Sequence, residues 1–205
     1  MLRPFVFLLA IAVPATAQSP QLPKAAPGAA DPSRVVAGTY TVDAGHTQAT
    51  FTLNHLGFSD YTGMFVEPTG TLTLDPANLA GARVEIAFPV AKVRTTVAGL
   101  DQHLQKADFF DAAKFPEIRF VSTKVEPSGT RARISGNLTM RGVTRPVVLD
   151  AEFVGAGRAP MGPPLLNIGF RATTRLKRSD WGMTYAARLV GDDVTLQINA
   201  AFAKS

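Results

Sequence analysis

No cysteine occurs among the 205 residues. That absence removes thiol nucleophiles, iron–sulfur clusters and cysteine-bound zinc from the chemistry available to the chain. It removes disulfides too, the usual staples of small exported domains that cannot build a sufficient core. A chain of this length can form one full hydrophobic core without them. Histidine is nearly as scarce, with His46, His55 and His103 the whole supply. There is no Gly-x-Ser-x-Gly elbow, no glycine-rich phosphate loop, no dinucleotide fingerprint and no internal repeat. Beyond the N-terminus no stretch approaches the ~18 uninterrupted apolar residues of a membrane span.

What is present begins with an address. Arg3 forms a small positive n-region and Phe5 to Val13 an apolar h-region too short to cross a bilayer. Ala15-Thr16-Ala17 supplies an A-x-A cleavage pattern. The expectation is a signal peptide over 1–17, cut after Ala17, and a periplasmic or secreted protein with no lipobox cysteine to tether it. Formal charge is +5 for the whole chain and +4 once Arg3 is removed. The basic residues are scattered, with Arg171, Arg175, Lys177 and Arg178 the densest group. Nucleic-acid binding would require a basic stripe interleaved with exposed aromatics, so no nucleic-acid partner is expected. Transient contact with an anionic membrane surface fits the charge better, at ~1 kcal/mol per surface charge.

Residues 18–37 are rich in Pro, Ala, Gln and Ser without periodicity and read as a flexible leader outside the core. From 38 to 205 one domain is expected, built of short alternating runs. Ala49, Phe51 and Leu53 alternate with polar residues, as do Leu72 and Leu74, then Val84, Ile86 and Phe88. Ile118 and Phe120 continue the pattern, followed by Ala132 and Ile134 and by Val147, Leu149, Ala151 and Phe153. Leu166 to Ala172 and Val194 to Phe202 complete it. A period of two with one wet face means antiparallel strands. About eight such strands suggest an all-β sandwich or closed barrel. Closure removes aggregation-prone edges, and an eight-stranded barrel can hold one small ligand. Val97, Leu100, Leu104 and Ala107 fall at helical spacing, so 97–106 is the one expected helix, with a further turn over 109–113.

The polar constellations are sparse. Three imidazoles could hold zinc with one position open, but His46, His55 and His103 lack the i, i+4 spacing and the accompanying carboxylate of a zincin. Asp101, Asp108 and Asp111 sit in the helical segment without a paired, evidently buried acid for general acid–base work. Asp108 is expected to cap a short turn at Phe109. No catalytic residue, metal or cofactor is therefore assigned. Phe109 and Phe110 are expected to anchor the helix and line the mouth of a cavity, and Trp181 to plug the opposite side.

Several phrases, in order, resemble the YceI-like family of exported bacterial lipid-binding proteins. They are Tyr40-Thr41-Val42-Asp43-Ala44-Gly45-His46-Thr47, Phe51-Thr52-Leu53-Asn54-His55-Leu56-Gly57, Gly63-Met64-Phe65 and Leu100-Asp101-Gln102-His103-Leu104. Asp108-Phe109-Phe110-Asp111, Lys114 to Phe120, Gly136 to Val147 and Gly191-Asp192-Asp193-Val194 follow. Tyr40 and Thr47 stand where the family often has Trp and Ser, and residues 156–165 look like a variable loop. The resemblance implies a lipocalin-like extended antiparallel β-barrel with a short helical insertion and a hydrophobic tunnel for isoprenoid or similar amphiphilic chains. Alternation then assigns Phe51, Leu53, Phe65, Phe120 and Leu138 to the lining, joined by Met140. His55 or His103 is expected near the polar end, and Phe109, Phe110 and Trp181 in contact with the ligand. A carrier for a polyisoprenoid, quinone-like or fatty-acyl amphiphile is the leading expectation. A broad scavenger of hydrophobic compounds such as antibiotics, and a metal-dependent hydrolase using His46, His55 and His103, are the alternatives. A homodimer is compatible with the sequence.

Overall fold

The computed structural model describes residues 24–160 and 163–204. The expected signal peptide lies outside them, as do residues 18–23 of the expected leader. Among the described residues, eleven strands form one antiparallel sheet: β1 (Gly38–Val42), β2 (Gln48–His55), β3 (Ser59–Val66), β4 (Thr69–Leu74), β5 (Arg83–Pro89), β6 (Val93–Arg94), β7 (Glu117–Ser128), β8 (Arg131–Met140), β9 (Val143–Arg158), β10 (Leu166–Lys177) and β11 (Asp193–Lys204). The one α-helix among the described residues, α1 (Ala98–Leu104), follows β6. The order β1-β4-β5-β7-β8-β9-β10-β11 returns to β1, closing an eight-stranded barrel. Closure satisfies the hydrogen-bonding edges that an open sheet would expose.

β11 is shared. Its Phe202–Lys204 end pairs with β1, while Thr195–Asn199 pairs with β2, from which β3 and β6 continue. Thr47 makes the switch between the two partners. Its hydroxyl donates to the Ala201 carbonyl at 3.1 Å and accepts from the Ala201 amide at 2.9 Å, so neither backbone group is stranded where the ladder changes hands. Thr47 is buried at that seam.

Strands β1, β3 and β6 are additions to the runs visible by alternation. β1 and β6 are too short to show a period. β3 breaks its own pattern at Gly63, where a Cβ would overlap the Phe51 ring on its cross-strand partner. Gly136 does the same for Phe120. In both places a missing side chain makes room for an aromatic ring that lies along the inner wall.

The core divides into two clusters. One gathers Phe51, Phe65, Phe88, Leu104, Phe110, Met140 and Trp181 near α1; the other gathers Tyr40, Leu72, Leu74, Val125, Ala156, Ile168 and Phe202 toward the opposite end. Val84, Ile86 and Ile134 touch both. The leader is not wholly outside this core. Ala29 bridges Ala156, Asp31 caps a 3-10 turn over Pro32–Arg34, and Val35 packs on the second cluster. Composition favoured a free tail, but β9 runs past the end of β8 and leaves a backbone edge there for Ala29 to occupy.

Candidate functional site

A cavity of ≈ 370 Å³ runs along the barrel between the two clusters. Its wall comes from the inward faces of nearly every strand, because successive side chains alternate between the two faces of a sheet. Phe51 and Leu53 reach it from β2, Phe65 from β3, Phe120 from β7, and Leu138 and Met140 from β8. Phe109 and Phe110 reach it from the segment after α1. Apolar cavities well under this size, about 150 Å³, stay dry and bind an apolar guest.

The two ends differ. Near α1 the lining residues Leu104, Phe110, Arg178 and Met183 are all buried, and none of the others there is exposed. Phe65 meets Phe110 edge-on at 5.2 Å and Phe51 at 5.7 Å, making an aromatic floor. The exposed lining residues lie at the other end: Pro32, Pro76, Leu79, Arg83, Pro127, Gly129, Thr130 and Arg131. The mouth is therefore framed by the β4–β5 turn, the β7–β8 turn and the leader. Phe109 and Phe110, expected at a mouth, belong to the floor, because the helical insertion closes its end instead of edging an opening.

Exposed polar side chains of the lining follow the same asymmetry, whereas Arg178 at the α1 end is buried and spent on backbone carbonyls. Arg83, Thr130, Arg131 and Glu152 line the mouth, with Arg131 and Glu152 cross-strand partners. The expected polar end at His55 or His103 is on the wrong side. His55 is exposed, 6.0 Å from the Tyr61 ring and away from the lining. His103 sits behind the floor, paired with Asp108 at 2.9 Å and packed against Phe109 and Tyr185. Asp108 thus holds a histidine and caps no helix, since 107–110 is a set of turns. His46 is bonded to Asp43 at 2.8 Å on the surface. The three imidazoles do not converge, and among the described residues no three His, Cys, Asp or Glu side chains gather where they could hold a metal.

Trp181 is also displaced from its expected place. It is 2% exposed, donates its indole N–H to the Leu138 carbonyl at 3.2 Å, and packs in the cluster near α1 without lining the cavity. Its bulk braces the wall from behind.

The residue that sequence reasoning missed is Arg178. Grouped by composition with surface cations, it is 4% exposed. Its guanidinium donates to the carbonyls of Met183, Tyr185, Val190 and Gly191 at 2.9–3.0 Å, gathering the 183–191 connection against the floor. Burial pushes its pKa down, while the nearby Asp192 carboxylate pushes it up. Asp192 is held by the Ser179 amide and hydroxyl at 2.9 and 2.8 Å. Burial works to raise the Asp192 pKa, but those bonds and the charges of Lys177 and Arg178 keep it below the usual carboxylate range. Arg141 plays the matching part across the floor, donating to the Ala107 and Phe109 carbonyls. Among the described residues no buried side-chain polar atom lacks a partner, so the buried polar side chains hold no unmet donor or acceptor in reserve for a guest.

Residues 40–202 match the model of the YceI-like domain. A UPF0312 protein of Pseudomonas fluorescens is 36% identical over 174 residues, covering 81% of this chain and 87% of its own. The solved YceI protein of Campylobacter jejuni superimposes with a TM-score of 0.65 at 29% identity, over 74% of this chain and 90% of that one. A polyisoprenoid binding domain from Saccharophagus degradans shares the fold at 14% identity, with a TM-score of 0.63 over 81% of this chain and 98% of that domain.

Proposed function

The chain belongs to the YceI-like family, and on that premise we propose that it binds and carries a long apolar molecule with a small polar head. The observation that carries this reading is the ≈ 370 Å³ cavity, walled by Phe, Leu, Ile and Val and sealed at one end. The ligand class is a polyisoprenoid, a quinone-like compound or a fatty-acyl amphiphile. The tail lies toward the aromatic floor, and the head rests at the mouth beside Arg83 and Arg131. Its setting is the periplasm or the exterior, in keeping with the N-terminal sequence.

The energetics of capture set what the cavity and its mouth must supply. Each methylene taken from water contributes about 0.8 kcal/mol, yet a membrane already shelters such a tail. Capture from that reservoir must come from fit to the wall and from contacts to the head, with the mouth meeting the membrane surface briefly. A wall with no spare buried hydrogen-bonding group makes no directional demand on its guest, which also favours the second reading, a scavenger of assorted hydrophobic compounds.

Native mass spectrometry of protein purified without detergent, followed by solvent extraction, tests both readings. One dominant long-chain amphiphile at one copy per chain is expected of a carrier, and a broad mixture of a scavenger. A bare protein mass that gains nothing from added geranylgeraniol, ubiquinone or oleate would overturn both. The same spectra report whether the protein is a monomer or a homodimer.

A further inference from the structure

The mouth has one wall that is not held in the barrel ladder. Residues 27–37 cross it as a strap, and β9 is shaped to receive them. Ala29 and Ala156 exchange two backbone hydrogen bonds of 3.1 and 2.9 Å. Gly155 and Gly157 flank that contact: a Cβ at 157 would overlap the Pro27 carbonyl, and one at 155 would stand 3.0 Å from the Ala29 carbonyl. Asp31 then caps the 3-10 turn, accepting from the Ser33 amide at 3.0 Å and the Ser33 hydroxyl at 2.6 Å. That turn delivers Pro32 and Val35 to the cavity.

Beyond the turn the strap is fastened firmly. The buried Tyr40 hydroxyl donates to the Val36 carbonyl at 2.5 Å, and the Lys204 ammonium donates to the Ala37 carbonyl at 2.9 Å. The strap thus has a fixed root at 36–40 and an arm that, among the described residues, is hydrogen-bonded to the barrel backbone at Ala29–Ala156 and packs Val35 on its core. The other two elements that frame the mouth, the β4–β5 and β7–β8 turns, are hairpins whose strands continue in a ladder on both sides.

We propose that the strap is the movable wall of the mouth: Pro32 and Val35 touch the ligand, and release of Ala29 from Ala156 is the step through which the ligand passes in and out. The proposal rests on the ligand-binding reading above. It separates the residues that set how tightly a ligand is held, which lie in the barrel, from those that set how fast it exchanges, which lie in the strap. The glycines flanking Ala156 are a seat for the arm.

The cysteine-free chain allows a clean test. Mutually hydrogen-bonded antiparallel residues have Cα atoms about 5.5 Å apart, within the span of a disulfide. In a protein carrying Ala29→Cys and Ala156→Cys, stopped-flow fluorescence would follow transfer of cis-parinaric acid to and from phosphatidylcholine vesicles. The oxidised, locked form, in which a covalent bond forbids the release of residue 29 from residue 156, is expected to exchange at least about tenfold more slowly than its own reduced form. Gly157→Val, which blocks the seat without touching the lining, is expected to speed exchange at unchanged melting temperature. Equal rates for the locked and reduced forms would overturn the proposal while leaving ligand binding intact. Failure of the reduced protein and of the wild type to take up parinaric acid or geranylgeraniol would instead remove the binding reading, and the proposal with it. Should Gly157→Val not fold, the locked and reduced forms of one protein still decide.

Discussion

The end of the barrel at α1 and the end at the leader are closed by different physics. At the α1 end, side chains do the work: Phe51, Phe65 and Phe110 stack into a floor, and two arginines pull separate connections across it through backbone carbonyls. At the leader end the frame is hairpin turns with exposed Pro, Gly, Thr and Arg, crossed by a strap on a two-bond bridge. Interlocked rings and a buried cation move only if several contacts fail together, whereas the strap gives way once one backbone bridge and the packing of Val35 are released. A cavity with one rigid end and one labile end gives an amphiphile a single sensible direction, tail inward and head at the mouth.

The largest effect expected from breaking this contrast is at the floor and wall. Phe51→Asp with Phe120→Asp places two carboxylates in the apolar interior and should abolish co-purifying lipid while leaving export intact. Unchanged lipid recovery in an extract would remove the cavity assignment. Next is Arg178→Met, which leaves four carbonyls at the sealed end without their donor. A loss of about 3 kcal/mol or more is expected, read as a shift of the urea midpoint, and a change under about 0.5 kcal/mol would show that the floor is not clamped. Gly136→Ala drives a methyl into the Phe120 ring and the Val121 carbonyl. It should cost about 1–3 kcal/mol and reduce ligand stoichiometry, and full occupancy by the same ligand would contradict the packing described.

The smallest effect concerns the strap. The Ser33 hydroxyl and amide, with the Arg34 charge beside them, hold the half-exposed Asp31 carboxyl below its ordinary value. Such a depressed group supports the turn above the ordinary carboxylate range and loses that support as pH falls through its own lower value. Ligand exchange should therefore quicken only below about pH 4. Asp31→Ala should show a rate about twofold to fivefold faster at neutral pH, without that acid limb. An acid limb that persists in Asp31→Ala would assign it to another group.

Much of the barrel was legible because alternation survives wherever one face is dry and the other wet. Joined to the family resemblance, it assigned Phe51, Leu53, Phe65, Phe120 and Leu138 to the tunnel, and all five line the cavity. What alternation cannot report is position along the barrel axis, so nothing in it opposes placing the apolar segment at Phe109 and Phe110 at a mouth and the histidines at a polar end. Arg178 was hidden for a related reason, since nothing in Arg-Ser-Asp-Trp-Gly distinguishes a cation that gathers carbonyls from one in solvent. The strap was hidden because its seat consists of side chains that are missing. Gly155 and Gly157 read as ordinary strand glycines until Pro27 and Ala29 are seen against them.

The one-ended cavity is tested most directly by anomalous diffraction from crystals loaded with a fatty acid carrying bromine on its terminal carbon. A bromine peak is expected among Phe65, Leu104 and Phe110, with the carboxylate beside Arg83 and Arg131. Bromine at the strap, or no bromine inside the barrel of a protein that retains the acid in solution, would contradict it.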